Sequence, residues 1–144
     1  MADNQAPSSK LRSLEKLLGV WRVSGGIVGT VRYEWLEGGF FLVQHFDFEH
    51  RGHQVSGIEI IGHLQPFGQT PSQDLHARIY DNMGNTFDYV YELEDNKLTI
   101  WGGSRGSSSY YQGIFGDDGE TCNGQWVFAG GGGYASTMTR ISKK

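Results

Sequence analysis

The sequence predicts an all-β protein: a single antiparallel up-and-down β-barrel of about eight to ten strands with a short N-terminal helix. Three observations predict it. Between Gly19 and Ile141 the chain runs in short stretches that alternate apolar and polar residues. Glycine-bearing turns separate them, at Glu37-Gly38-Gly39, His50-Arg51-Gly52-His53, Asn82-Met83-Gly84-Asn85, Asp95-Asn96, Asp117-Asp118-Gly119 and the run Gly130 to Gly133. Turns at such spacing mark a sandwich or a barrel. Only one stretch carries a helical leucine pattern, so consecutive strands are joined tightly and should be neighbours.

Residues 1–8 are polar and read as a flexible tail, and residues 9–144 as one barrel domain. Leucines at 11, 14, 17 and 18 place a helix over 9–18, with Gly19 as its stop; its apolar face would pack against one end of the barrel. Strands are expected at 19–24, 29–37, 39–49, 54–65, 73–81, 85–93, 97–102, 107–116, 120–128 and 133–141.

With 144 residues the chain can bury a core of its own without covalent staples. Its single cysteine, Cys122, permits no intramolecular disulfide, which fits a reducing, cytoplasmic setting. A net charge of −4 and the lack of a Lys/Arg block give no support to a nucleic-acid partner. The first residues carry no hydrophobic signal region and no run is long enough for a bilayer, so no membrane partner is expected. The oligomeric state is open.

Hairpin geometry assigns the faces. A turn at Gly38-Gly39 pairs Trp35 with Leu42, Tyr33 with Gln44 and Val31 with Phe46. A loop over 50–53 pairs Glu49 with Gln54, and hence Gln44 with Glu59 and Leu42 with Ile61. Paired residues share a face. One face thus collects Val31, Tyr33, Trp35, Phe40, Leu42, Phe46, Phe48, Val55 and Ile61, and being so apolar it should be the interior. Tyr33, Gln44 and Glu59 then form one polar row across three strands of that interior, with His63 further along.

The later strands add Phe87, Tyr89, Tyr91 and Leu93 to the inside, joined by Leu98 and Ile100 across Asp95-Asn96. A turn at Asp118-Gly119 pairs Phe115 with Cys122 and Tyr111 with Trp126. Strand 73–81 is ambiguous. A three-residue bulged turn over Asn82-Met83-Gly84 sends Leu75, Ala77 and Ile79 inward; a two-residue turn sends in His76, Arg78 and Tyr80. The apolar pattern favours the first.

Gly19-Val20-Trp21, opening the first strand after a short helix, resembles the Gly-X-Trp signature of the calycin superfamily, which includes lipocalins, fatty-acid-binding proteins and nitrobindins. The segments Arg32 to Phe40 and Gly57 to Gly62 further resemble a bacterial family of lipocalin-like proteins with no assigned function. The resemblance runs over nearly the whole chain from about Leu11. It implies a barrel with a ligand pocket, closed at one end by Trp21 with a late-strand arginine, here Arg140, packed over it. Nitrobindins hold haem through a histidine near the C-terminal end. The last histidine here is His76, so no cofactor follows from the resemblance.

A carboxylate on an apolar wall must find partners or take up a proton. Glu59 with Tyr33 and Gln44 is therefore the leading polar site. Glu59 and His63, four residues apart on a strand, stand about 13 Å apart and make no dyad. His45, His50 and His53 cluster at one hairpin but sit largely at its tip, and no metal site is expected. The glycine run 130–133 lacks the Gly-Lys-Ser/Thr of a phosphate loop, and Ser107 to Ser109 lack a strand-to-helix elbow.

The resulting expectation is binding of a small, largely apolar or aromatic molecule inside the barrel. Tyr33, Gln44, Glu59 and His63 would orient it, with Trp35, Tyr89, Tyr91, Tyr111 and Trp126 as walls. Two alternatives stand beside it. One is a cofactor-free isomerase, cyclase or hydrolase using Glu59 as acid or base; the other is a fully packed barrel.

Overall fold

The computed structural model describes residues 6–144; residues 1–5, most of the expected tail, lie outside them. Ten strands form one closed antiparallel barrel in which each strand pairs with its sequence neighbours and β1 closes on β10. They are β1 (Gly19–Gly25), β2 (Val28–Trp35), β3 (Leu42–His50), β4 (His53–His63), β5 (Leu75–Asp81), β6 (Thr86–Glu94), β7 (Lys97–Gly102), β8 (Tyr110–Phe115), β9 (Thr121–Val127) and β10 (Gly133–Ser142). No helix among the described residues is long and apolar enough to cross a membrane.

The helical segment is tighter than expected. One α-turn, α1 (Ser9–Arg12), continues as a 3-10 segment over Ser13–Leu17. Leu11, Leu14 and Leu17 are spaced by three, which is the 3-10 repeat, and all three are buried. Ser8, assigned to the tail from sequence, caps α1 by accepting from the Leu11 N–H. Gly19 then turns the chain into β1 at a φ of 111°, where a side chain would run into the Ser142 carbonyl.

This segment closes one end of the barrel. Its leucines join Trp21, Leu42, Ile61, Leu75, Phe115 and Cys122 in a core with almost no exposure. Trp21 donates its indole N–H to the Leu17 carbonyl at 2.8 Å and meets Phe115 edge-on. The Arg140 guanidinium lies 4.2 Å from the Trp21 ring centre, as the calycin resemblance implied. It donates to the carbonyls of Leu18, Lys16 and Gly119, tying the helical segment and the β8–β9 turn to β10.

The inferred registers hold: Tyr33 pairs with Gln44, Gln44 with Glu59, Leu93 with Leu98, and Tyr111 with Trp126. Arg51 and Gly52 both take positive φ (53° and 80°), so the β3–β4 connection is a two-residue turn closed by His50 and His53. The bulged β5–β6 turn is the one formed, and Leu75 and Ala77 are buried.

Two positions depart from the expected inner face. Phe40 falls in a loop beyond the last β2–β3 pair, Trp35 with Leu42, and is 37% exposed. Phe87 has inward parity but stands at the open rim, 47% exposed.

Candidate functional site

The barrel is packed solid at its helical end and hollow towards the other. A cavity of about 190 Å³ lies between the filled core and the turns joining β1 to β2 and β9 to β10. Ten strands enclose a wider lumen than the eight that side chains just fill, so a core plugging one end leaves space at the other.

The polar pole of this cavity is the row read from the hairpin registers. The Gln44 side-chain amide donates to the Tyr33 hydroxyl at 2.6 Å and to Oε1 of Glu59 at 3.3 Å. Oε1 also accepts from the Tyr91 hydroxyl at 2.6 Å. Tyr91 lies on β6, two strands from Glu59, and reaches it across the intervening β5, whose inward position between their registers is the small Ala77. Glu59 is 2% exposed. Among the described residues nothing hydrogen-bonds its other oxygen, Oε2, and protein atoms do not seal it from the cavity that Glu59 lines.

Burial pushes the Glu59 carboxyl up to about 7, against a smaller downward pull from the Tyr91 hydrogen bond. The phenols respond in the same sense. Burial, then the nearby Glu59 carboxylate, raises Tyr89 to about 12 and holds Tyr33 and Tyr91 higher still. Tyr111 is raised by burial and then by Cys122. The tyrosines are therefore neutral donors and acceptors at physiological pH, and Glu59 is the group that changes charge there.

Tyr89, Tyr111 and Trp126 form the aromatic wall, with Trp126 centred 5.9 Å from Tyr89 and 5.4 Å from Tyr111. The Tyr111 ring fits because paired inward positions on β8 and β9 are Gly113 and Gly124. A Cβ at either would overlap that ring and its hydroxyl.

Of the residues singled out from sequence, Tyr33, Gln44, Glu59, Tyr89, Tyr91, Tyr111 and Trp126 all line the cavity, whereas Trp35 and His63 do not. Trp35 packs against the core at the helical end. His63 is engaged there too: its Nδ1 lies 2.6 Å from the Ser72 carbonyl and its Nε2 2.7 Å from the Ser8 hydroxyl. A carbonyl only accepts, so Nδ1 carries the proton and Nε2 accepts from Ser8. His63 latches the N-terminal segment to the β4–β5 loop.

The sequence reading passed over β10, which contributes Tyr134, Ser136 and Met138 to the cavity, and the β1–β2 turn residue Ile27. The β9–β10 register places them, and the glycine run 130–133 leaves that register unspecified in the sequence. Cys122 pairs with Met138 and Trp126 with Tyr134, so the inward parity of β9 carries over directly. His45, by contrast, bonds Glu34 on the outer face at 2.7 Å. In comparisons with known proteins, no family model matches the chain and no curated protein matches it.

Proposed function

We propose that the protein binds a small, largely apolar or aromatic molecule inside its barrel. The observation that carries this reading is the cavity itself: mostly apolar and aromatic walls around one cluster of buried hydrogen-bonding groups, with a carboxyl oxygen left free to face an occupant. Apolar walls with a few placed polar groups are the general design of small-molecule sites. The closed barrel, the single short helix and Arg140 over Trp21 are consistent with a calycin-like fold, whose resemblance carries the same expectation. Cys122, a buried free thiol, suits a reducing compartment such as the cytoplasm.

A second reading has one observation in its favour. A carboxyl poised at about 7 is matched to proton transfer at neutral pH, so Glu59 is suited to act as acid or base on a molecule in the same cavity. Turnover then depends on Glu59, whereas binding of a neutral ligand such as toluene tolerates Glu59→Gln.

Native mass spectrometry of freshly purified protein tests the binding reading. The expected result is an extra mass that disappears on denaturation, or one that appears when a small aromatic such as toluene is added. A spectrum that stays at the bare chain mass under both conditions counts against it.

A further inference from the structure

The cavity has an acid without a base. Among the described residues that line it, Glu59 is the one carboxyl group and no lysine, arginine or histidine is present. The titratable groups facing Glu59 from the other strands are Tyr33 on β2, Tyr89 and Tyr91 on β6, Tyr111 on β8 and Tyr134 on β10; Cys122 on β9 lies deeper. All of these are neutral when Glu59 ionises, since burial raises each of them. An anion in such a place is compensated only by hydrogen bonds, and both of those fall on Oε1. Buried charges are ordinarily paired. Among the described residues lining the cavity, no cation faces this carboxyl.

The walls fit the rest of a ligand that brings one. Tyr89, Tyr111 and Trp126 present neighbouring aromatic rings against which an apolar or aromatic body packs. Size narrows the ligand further. A cavity of roughly 150 Å³ accommodates benzene, and drug-sized ligands occupy about 300–1,000 Å³. At about 190 Å³ the space suits a single ring with a short substituent.

We propose that the ligand class is a small protonated amine on a compact apolar or aromatic body, with its ammonium donating to Oε2 of Glu59 and its body against Tyr89, Tyr111 and Trp126. This rests on the binding reading above and adds the charge of the ligand to it. It has a consequence in pH. Below the Glu59 titration the carboxyl must release its proton to solvent before it pairs with an ammonium. Amine affinity should therefore fall about tenfold per pH unit below roughly 7 and level off above it. A neutral ligand of equal size should show little of this.

Benzylamine and toluene separate the possibilities, because they share a ring and differ in the charged group. Binding of each is measured by calorimetry and by the ligand-induced rise in melting temperature, between pH 5.5 and 8.5, in the wild-type protein and in Glu59→Gln. The expected result is tighter binding of benzylamine than of toluene at pH 8, with about one proton released on binding at pH 6. In Glu59→Gln, benzylamine should weaken by about ten- to a hundredfold and toluene by no more than about threefold. Toluene binding without benzylamine binding would overturn the amine proposal and leave the cavity reading intact. Benzylamine that binds Glu59→Gln equally well, or shows no pH dependence in the wild type, would also overturn it. If neither probe binds, both readings fall together. The wild-type pH series stands without the variant, should Glu59→Gln fold poorly.

Discussion

Tyr91 and Glu59 meet across the barrel wall, hydroxyl to carboxyl oxygen at 2.6 Å, from strands that are not neighbours. The contact links the β2–β3–β4 polar row to β6, so the site has a third side that adjacent-strand pairing alone would not give it. It also leaves Oε1 of Glu59 doubly engaged and Oε2 turned to the cavity.

Glu59 should make the fold less stable as pH rises. Its folded-state value of about 7 lies above the ordinary 4.5, so the folded protein holds the proton more tightly than the unfolded chain. The stabilisation is fully present below about pH 4.5 and is lost by the time pH has risen through 7. Linkage makes this roughly 3 kcal/mol at most. Glu59→Gln keeps the shape and cannot titrate. Urea unfolding should find it more stable than wild type at pH 8, by about 1–3 kcal/mol, and close to it at pH 5. An unchanged difference between the two pH values would contradict the buried-carboxyl account.

Arg140→Ala should be costly to the fold and neutral to the site. The side chain is 9% exposed, packs on Trp21 and satisfies carbonyls of the helical segment. Its loss should lower stability by about 2–4 kcal/mol, from the orphaned carbonyls and the lost cation–π contact. Toluene affinity measured at a temperature where the variant is folded should change less than about twofold. A variant that folds as well as wild type but loses its ligand would place Arg140 in the wrong role.

Gly124→Ala should act on the cavity from behind the Tyr111 ring. The added methyl overlaps that ring, which lines the cavity, so the ring should be pushed into it. Overpacking of this kind costs about 1–3 kcal/mol, and ligand binding should weaken together with stability. Retained affinity would mean that Tyr111 finds another way to yield.

His63→Ala should resemble a loop defect. Losing the bonds to Ser8 and Ser72 should reduce stability by about 1–2 kcal/mol and speed hydrogen exchange in α1, with ligand affinity unchanged. A loss of affinity would restore the ligand-orienting role first expected for this residue.

The polar row was legible because short connections pin β2, β3 and β4 to one another, and a period of two then decides which side chains enter the lumen. Parity gives the side but not the depth. Trp35 and His63 have inward parity, yet they sit at the end the helical segment fills, and nothing in their alternation distinguishes that end from the open one. Tyr134, Ser136 and Met138 escaped notice because four consecutive glycines specify no single turn, so the register of β10 could not be carried across 130–133. The Tyr91 contact was hidden for another reason: it skips a strand, and pairing rules reach only adjacent ones.

The central claim, an occupied barrel interior, is tested most directly by nuclear magnetic resonance during a toluene titration. The account predicts saturable shifts of the Met138 methyl and the Trp126 indole N–H, which line the cavity, with none at Ile114 on the outer wall. Resonances of Met138 and Trp126 that stay fixed at saturating toluene, or shifts confined to outer positions such as Ile114, would contradict it.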